Sequence, residues 1–252
     1  MLYRGAVAIA RRVRTMLKVR VLVVLLDLLA KHPLLVKIFL RPVANAPFIS
    51  GKLSVMFRAF MGSTAFEIHD VDVANGRISI GDVDEMLFGS EFILILHEAF
   101  AEIVTEEEKE RVLYEIGFKA CYYEAEEALK KGRWAPKTLV PIIYNKKIIE
   151  RVRSDPLMAR FFNHIEGMVT RLILNEGGWG HIEFDLASRP MKVRLYNSQE
   201  AKYLGPAEKP VCRFFTGFIA GHASSLIGER VEAREVSCAA TGEPHCTFEI
   251  DR

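Results

Sequence analysis

Hydrophobic and polar positions divide the chain into three stretches. In the first, six cations (Arg4, Arg11, Arg12, Arg14, Lys18 and Arg20) precede the apolar runs VLVVLLDLLA and LLVKIFL, with Pro33 breaking the helix between them. Alternation replaces this pattern after Pro47: Ala65 to Val71 and Arg77 to Ile80 read as two strands of a hairpin around Asn75-Gly76. The middle is helical. Apolar residues sit at helical spacing from Ser90 to Ile103, and Thr105-Glu106-Glu107-Glu108 forms a capping box that starts a helix to about Lys131. After a linker from Gly132 to Pro141, Asp155-Pro156 opens a helix whose Leu157, Phe161, Ile165, Met168, Val169 and Leu172 share one face, stopped by Gly177-Gly178. In the last third, Trp179 to Leu186 and Met191 to Asn197 alternate as strands, Pro210 opens a helix to Ile227, and Val231 to Ala239 pairs with His245 to Ile250. Gly217 and Gly221, four apart in that helix, allow close approach to the sheet or to a helical neighbour. The pattern predicts an α+β fold, an antiparallel sheet covered by helices with additional N-terminal helices. It divides into a basic and apolar segment 1–47 and a domain 48–252.

Composition narrows the classes little: of 252 residues, 50% are hydrophobic and 26% charged, as in ordinary globular proteins. A net charge of +2 gives no polyanion signature, so no nucleic-acid partner is expected. Asp27, Lys31, His32 and Lys37 interrupt the N-terminal apolar stretch, which excludes a spanning helix, and an internal acid with no small-residue cleavage site argues against a signal peptide. Two readings of residues 1–47 remain: helices that pack on the domain or a second subunit, giving a homodimer, or a peripheral contact with an anionic membrane. Four cysteines, with Cys121 isolated, fit a reducing cytoplasm.

The remaining three cysteines carry the chemistry. Cys212 begins a helix, Cys238 and Cys246 flank a hairpin, and Glu235 stands three residues before Cys238. Folded as helix, strand and returning strand, the four converge. Three soft thiolates and a hard carboxylate suit a borderline d10 ion, and a closed set of four ligands makes a structural zinc site. A helix N-terminus also favours a thiolate at Cys212. Two plainer readings stand beside the metal: small buried cysteines with no ion, or a Cys238–Cys246 disulfide. His245 and His222 are nearby substitute ligands, ranked below Glu235.

The strings P-V-C, G-F-I-A-G-H, L-I-G, R-E-V-S-C and G-E-P-H-C resemble the 4-vinyl reductase domain family, strongly from Tyr196 to Ile250, weakly from Ile93 to Leu195, and not over the first 50 residues. That family includes proteins named for bacteriochlorophyll biosynthesis, phenol- and xylene-sensing modules of bacterial activators, and archaeal stand-alone members, with a fold related to TRAPP vesicle-tethering subunits. In the phenol-sensing members three cysteines and a glutamate hold a structural zinc, and the resemblance assigns that role to Cys212, Glu235, Cys238 and Cys246. It also implies dimerisation through the N-terminal segment and an apolar cavity for a small aromatic effector between sheet and helices.

Candidate pocket residues are Phe118, Tyr122, Phe161, Trp179, Tyr196, Gln199 and Phe215, most of them also expected in the plain core. Gln199 replaces the tryptophan that contacts phenol in the sensors, which argues against phenol itself. No GxGxxG strand-turn-helix, phosphate loop or Ser/His/Asp set is present, and His97-Glu98 lacks the second histidine of a zinc protease, so the sequence points away from catalysis. The chain ends at Arg252 without the ATPase and DNA-binding modules of the activators. The expectation is a stand-alone, zinc-stabilised sensory module for a hydrophobic small molecule, signalling through its dimer or a protein partner. Two alternatives are a tetrapyrrole 4-vinyl reductase or pigment carrier, and a TRAPP-like interaction scaffold.

Overall fold

A computed structural model describes residues 2–250 apart from 82, 131–134, 136–147 and 186–187, with backbone alone at 2–15, 127–130 and 148–149. Helix α1 (Leu2–Lys31) ends before Pro33, and short helical turns carry the chain to Ser50. Next come α2 (Val55–Phe60) and a three-stranded antiparallel sheet in the order β1 (His69–Asp72), β2 (Arg77–Ile80), β3 (Val83–Glu85). Helices α3 (Phe92–Ala101) and α4 (Glu106–Lys130) precede α5 (Ile148–Ser154) and α6 (Pro156–Val169), which continues as a wider π turn to Asn175. Strands β4 (His181–Asp185) and β5 (Met191–Tyr196), helices α7 (Gln199–Leu204) and α8 (Arg213–Ile227), and strands β6 (Ala233–Ser237) and β7 (Cys246–Ile250) complete it. The second sheet is antiparallel throughout, in the order β4-β5-β7-β6. The fold is α+β, as the periodicities predict.

Local chemistry explains several helix starts. Thr105 and Glu108 exchange side-chain bonds with each other's backbone amides at the head of α4. Asp155 Oδ1 accepts from the Leu157 amide with Pro156 in the first turn of α6. Elsewhere the structure departs from expectation. Residues Ala65–Ile68 are a helical turn rather than strand, because Thr64 and Glu67 form a capping box that hydrophobic alternation does not register. Pro210 lies three residues ahead of α8, whose N-cap is Cys212. Helix α7 is additional, started by the side chain of Ser198. The Gly132–Pro141 linker lies outside the described residues except Ala135.

Helix α8 is the centre of the molecule. Nearly every residue from Phe214 to Ile227 is buried, so its sequence is apolar on all sides, and Gly228 ends it in the left-handed conformation (φ 79°). One side packs on β6 and β7 and the other on α4. A Cβ at Gly217 would stand 1.9 Å from the Tyr114 carbonyl oxygen, one at Gly221 2.3 Å from that of Phe118, and one at Gly117 2.0 Å from that of Phe214. The two backbones therefore touch at three glycines, and the neighbour that Gly217 and Gly221 serve is a helix.

The N-terminal segment shares this core. Val19 and Val23 are buried in the same apolar cluster as Phe161, Ile165 and Leu172, and Leu26 is buried as well. Asp27, which interrupts the apolar run, faces α6, accepting from His164 Nε2 at 2.8 Å and from Arg160. Leu17, Val21, Val24, Leu28, Leu34, Ile38 and Phe39 are exposed. No helix among the described residues is long and apolar enough to cross a membrane.

A buried ion pair ties α8 to α6: His222 Nε2 donates to Glu166 Oε2 at 2.9 Å, with the Phe184 ring 4.9 Å away. Burial alone would push the imidazole down, but the Glu166 carboxylate, aided by the Cys121 thiol, pushes it up to about 10. Because the folded value exceeds the ordinary 6.5, this stability is fully present below pH 6.5 and is lost as pH rises through about 10. Thermal melts are expected to decline across that window. Glu166→Gln should cost about 3–5 kcal/mol at neutral pH and flatten the decline; an unchanged pH profile would show that the pair is not charged. Gly217→Ala should cost about 1–3 kcal/mol in urea unfolding, since α4 and α8 must separate. An unaltered midpoint would mean that the helices do not touch there.

Candidate metal centre

Four residues from three elements meet at the head of α8: Cys212 at its N-cap, Glu235 on β6, Cys238 just beyond β6, and Cys246 at the start of β7. All are buried, and their ligand-type atoms lie within 4.8 Å of one another. A regular strand would turn residues 235 and 238 to opposite faces, since their spacing is odd. The β6–β7 register instead runs from Glu235↔Phe248 to Ser237↔Thr247, a bulge that restores both side chains to the buried face and leaves Val236 exposed.

The Sγ separations are 3.8 Å for Cys212–Cys238, 3.6 Å for Cys212–Cys246 and 3.7 Å for Cys238–Cys246. They are far longer than a disulfide, so all three cysteines are free. A tetrahedral ion with metal–sulfur bonds of about 2.3 Å sets its sulfurs about 3.8 Å apart. The carboxylate fits as well. Glu235 Oε2 accepts from the Cys212 amide at 2.8 Å, whereas Oε1 is buried with no hydrogen-bond partner among the described residues. Burial, then the contact with Cys238, pushes this carboxyl up to about 8. Among the thiols, hydrogen bonds from Cys212 and Cys246 hold Cys238 far below its ordinary value, while its own contact with Cys238 raises Cys212. Hydrogen bonding alone thus supports one thiolate, and a divalent cation would favour three. This cluster of cysteines and a glutamate is able to hold a metal ion.

The surrounding shell was not visible in the sequence. Glu200 is fully buried, accepting from the Phe214 and Phe215 amides at 2.9 and 3.0 Å and from His97 Nε2 at 2.7 Å. Two carboxylates thereby satisfy three amides at the head of α8. The Ala239 amide donates to Cys246 Sγ at 3.3 Å, and Ser198 Oγ lies 3.4 Å from Cys212 Sγ. Neither substitute histidine takes part: His222 pairs with Glu166, and His245 packs on Tyr196 with centroids 4.8 Å apart.

The pocket candidates fall in several places. Trp179 stacks on Phe214 at 5.9 Å and meets Phe215 edge-on at 6.1 Å over the first turns of α8. Phe118 and Tyr122 stack on α4, with the Arg230 guanidinium over Phe118. Phe161 is buried against Phe162 on α6. Tyr196 lies on the outer face of β5 between His181 and His245, and Gln199 is half-buried at the start of α7. A cleft of about 360 Å³ lies apart from all seven, between α1, the turns after it, α2 and α6.

Residues 191–252 match the V4R domain, a stretch that includes all four cluster residues. Two uncharacterized proteins of Methanocaldococcus jannaschii are similar. One is 31% identical over 71 residues, covering 28% of this chain and 44% of that protein. The other is 29% identical over 105 residues, covering 41% and 44%. The phenol regulator MopR of Acinetobacter guillouiae is 25% identical over 179 residues, 69% of this chain and 29% of that protein. The matches thus span less than half the length of each of these relatives. The phenol-responsive sensory domain of the transcription activator PoxR shares the fold, with a TM-score of 0.51 over 74% of this chain and 85% of that domain at 18% identity. Strands β5, β6 and β7, helix α8 and the cysteine cluster all lie within the stretch that matches the V4R domain.

Proposed function

We propose that this chain is a zinc-stabilised sensory module that binds a hydrophobic small molecule, acts as a homodimer, and passes its signal through the dimer or a partner protein. The buried cluster with an unpartnered Glu235 oxygen carries the reading, because three sulfurs at tetrahedral spacing suit a d10 ion better than a hard cation. Cys212, Glu235, Cys238 and Cys246 would hold the ion. Four protein ligands leave no open position, so zinc would lock the β6–β7 hairpin to the head of α8 and supply no chemistry of its own.

Ligand binding is supported by the names of the similar regulators, which respond to phenol, and by the aromatic group of Trp179, Phe214, Phe215 and Phe218 beside the cluster. Phe118, Tyr122, Phe161, Tyr196 and Gln199 remain candidate contacts in this proposal. Dimerisation is supported by the exposed apolar face of residues 17–43, which has the character of an interface. On this reading residues 1–47 form the dimer contact and residues 48–252 the binding domain.

Native mass spectrometry of the purified chain should give a dimer with one zinc per subunit and additional mass from a retained small molecule. A metal-free monomer with no added mass would overturn the reading. Cys238→Ser should reduce zinc to near zero and destabilise the domain by several kcal/mol, as loss of a structural metal does. Full zinc content with an unchanged melting temperature would remove the cluster from the mechanism.

A further inference from the structure

The cleft at the N-terminal segment has a charge pattern that selects its occupant. Leu26 and Leu29 of α1, Phe60 of α2 and Met168 of α6 give it an apolar floor. Its remaining lining includes three cations, Lys37, Arg41 and Arg171, and no aspartate or glutamate among the described residues. Two of the three are already paired. Arg41 Nε contacts both Glu67 oxygens at 2.9 and 3.0 Å, and Arg171 donates to the Ala59 and Ser63 carbonyls at 3.0 Å each while lying 3.6 Å from Glu176. Lys37 makes no ion pair or side-chain hydrogen bond among the described residues and stands exposed at the rim.

The walls are fixed. Gly62 comes so close to Val36 that a Cβ there would stand 2.7 Å from Val36 Cγ1, and His164 on the opposite wall is held by Asp27 at 2.8 Å. An apolar floor, a positive rim with one uncommitted ammonium, and no lining carboxylate match one chemistry: a small amphiphile with a single anionic head. A volume of about 360 Å³ suits a small ligand.

We infer that this cleft binds an anionic amphiphile, with Lys37 taking the head and Leu26, Leu29, Phe60 and Met168 taking the apolar body. The inference rests on the ligand-binding reading and names the class of molecule, but puts it in a cleft that the N-terminal segment helps to form, in place of the seven aromatic and polar candidates and of a binding domain confined to residues 48–252. Neutral aromatic compounds lack the head that Lys37 would pair.

Calorimetric titration of the full-length protein with decanoate, and with decanol as its uncharged counterpart, tests it. Decanoate should bind at least about tenfold more tightly than decanol, the scale of one charge-assisted hydrogen bond. Lys37→Ala should bring decanoate down to the decanol value, and Leu29→Trp, which fills the floor, should abolish both. Equal binding of the two compounds, or no effect of Lys37→Ala, overturns the anionic class while leaving small-molecule binding intact. If neither compound binds, or Leu29→Trp leaves both bound, the cleft itself is overturned. Binding elsewhere is then judged by retained mass in the native spectrum.

Discussion

The head of α8 is the constraint on which the rest is built. A helix buried along most of its length cannot leave its first amides unpaired without several kcal/mol of desolvation cost, because no water reaches them. Here Glu235 takes the Cys212 amide and Glu200 takes those of Phe214 and Phe215. Both acceptors are themselves buried acidic side chains, whose remaining oxygens demand partners in turn. His97 supplies one to Glu200, while an oxygen of Glu235 turns into the sulfur cluster. The metal candidate is thus part of how the central helix begins, and the remaining contacts of α8 follow from that fixed origin.

From that start the helix runs through the molecule with two kinds of neighbour. Bulky residues press on the sheet, whereas glycines let α4 approach until backbone meets backbone. Farther along, the charged bond from His222 to Glu166 connects it to α6, which Asp27 connects to α1. The cysteine cluster, core helix, α6 and N-terminal helix therefore form one continuous chain of contacts. Order in the hairpin and order at the cleft depend on the same central element.

Much of this was legible from residues close together in the chain. Thr105 and Glu108, or Asp155 and Pro156, announce helix starts because the physics is local, confined to one turn. Cys212, Glu235, Cys238 and Cys246 could be grouped because donor chemistry limits what they would do if they met. Other features were hidden for physical reasons. Alternation at residues 65–68 imitated a strand, since a single helical turn is too short to display its own period. The His97–Glu200 bond joins elements about a hundred residues apart, and no pattern along the chain encodes it. The cleft depends on how α1 lies across α6, a matter of tertiary docking that no pattern along the chain encodes.

The irregularity in β6 has an evolutionary corollary. With Val236 as the extra residue, the parity between positions 235 and 238 is set by a count, whatever side chains fill the gap. Adding or removing one amino acid there would rotate either the glutamate or the cysteine out to solvent, while exchange of Val236 for another residue would leave both where they are. Descendants of this sequence are thus free to vary in spelling across that segment but are held to its length.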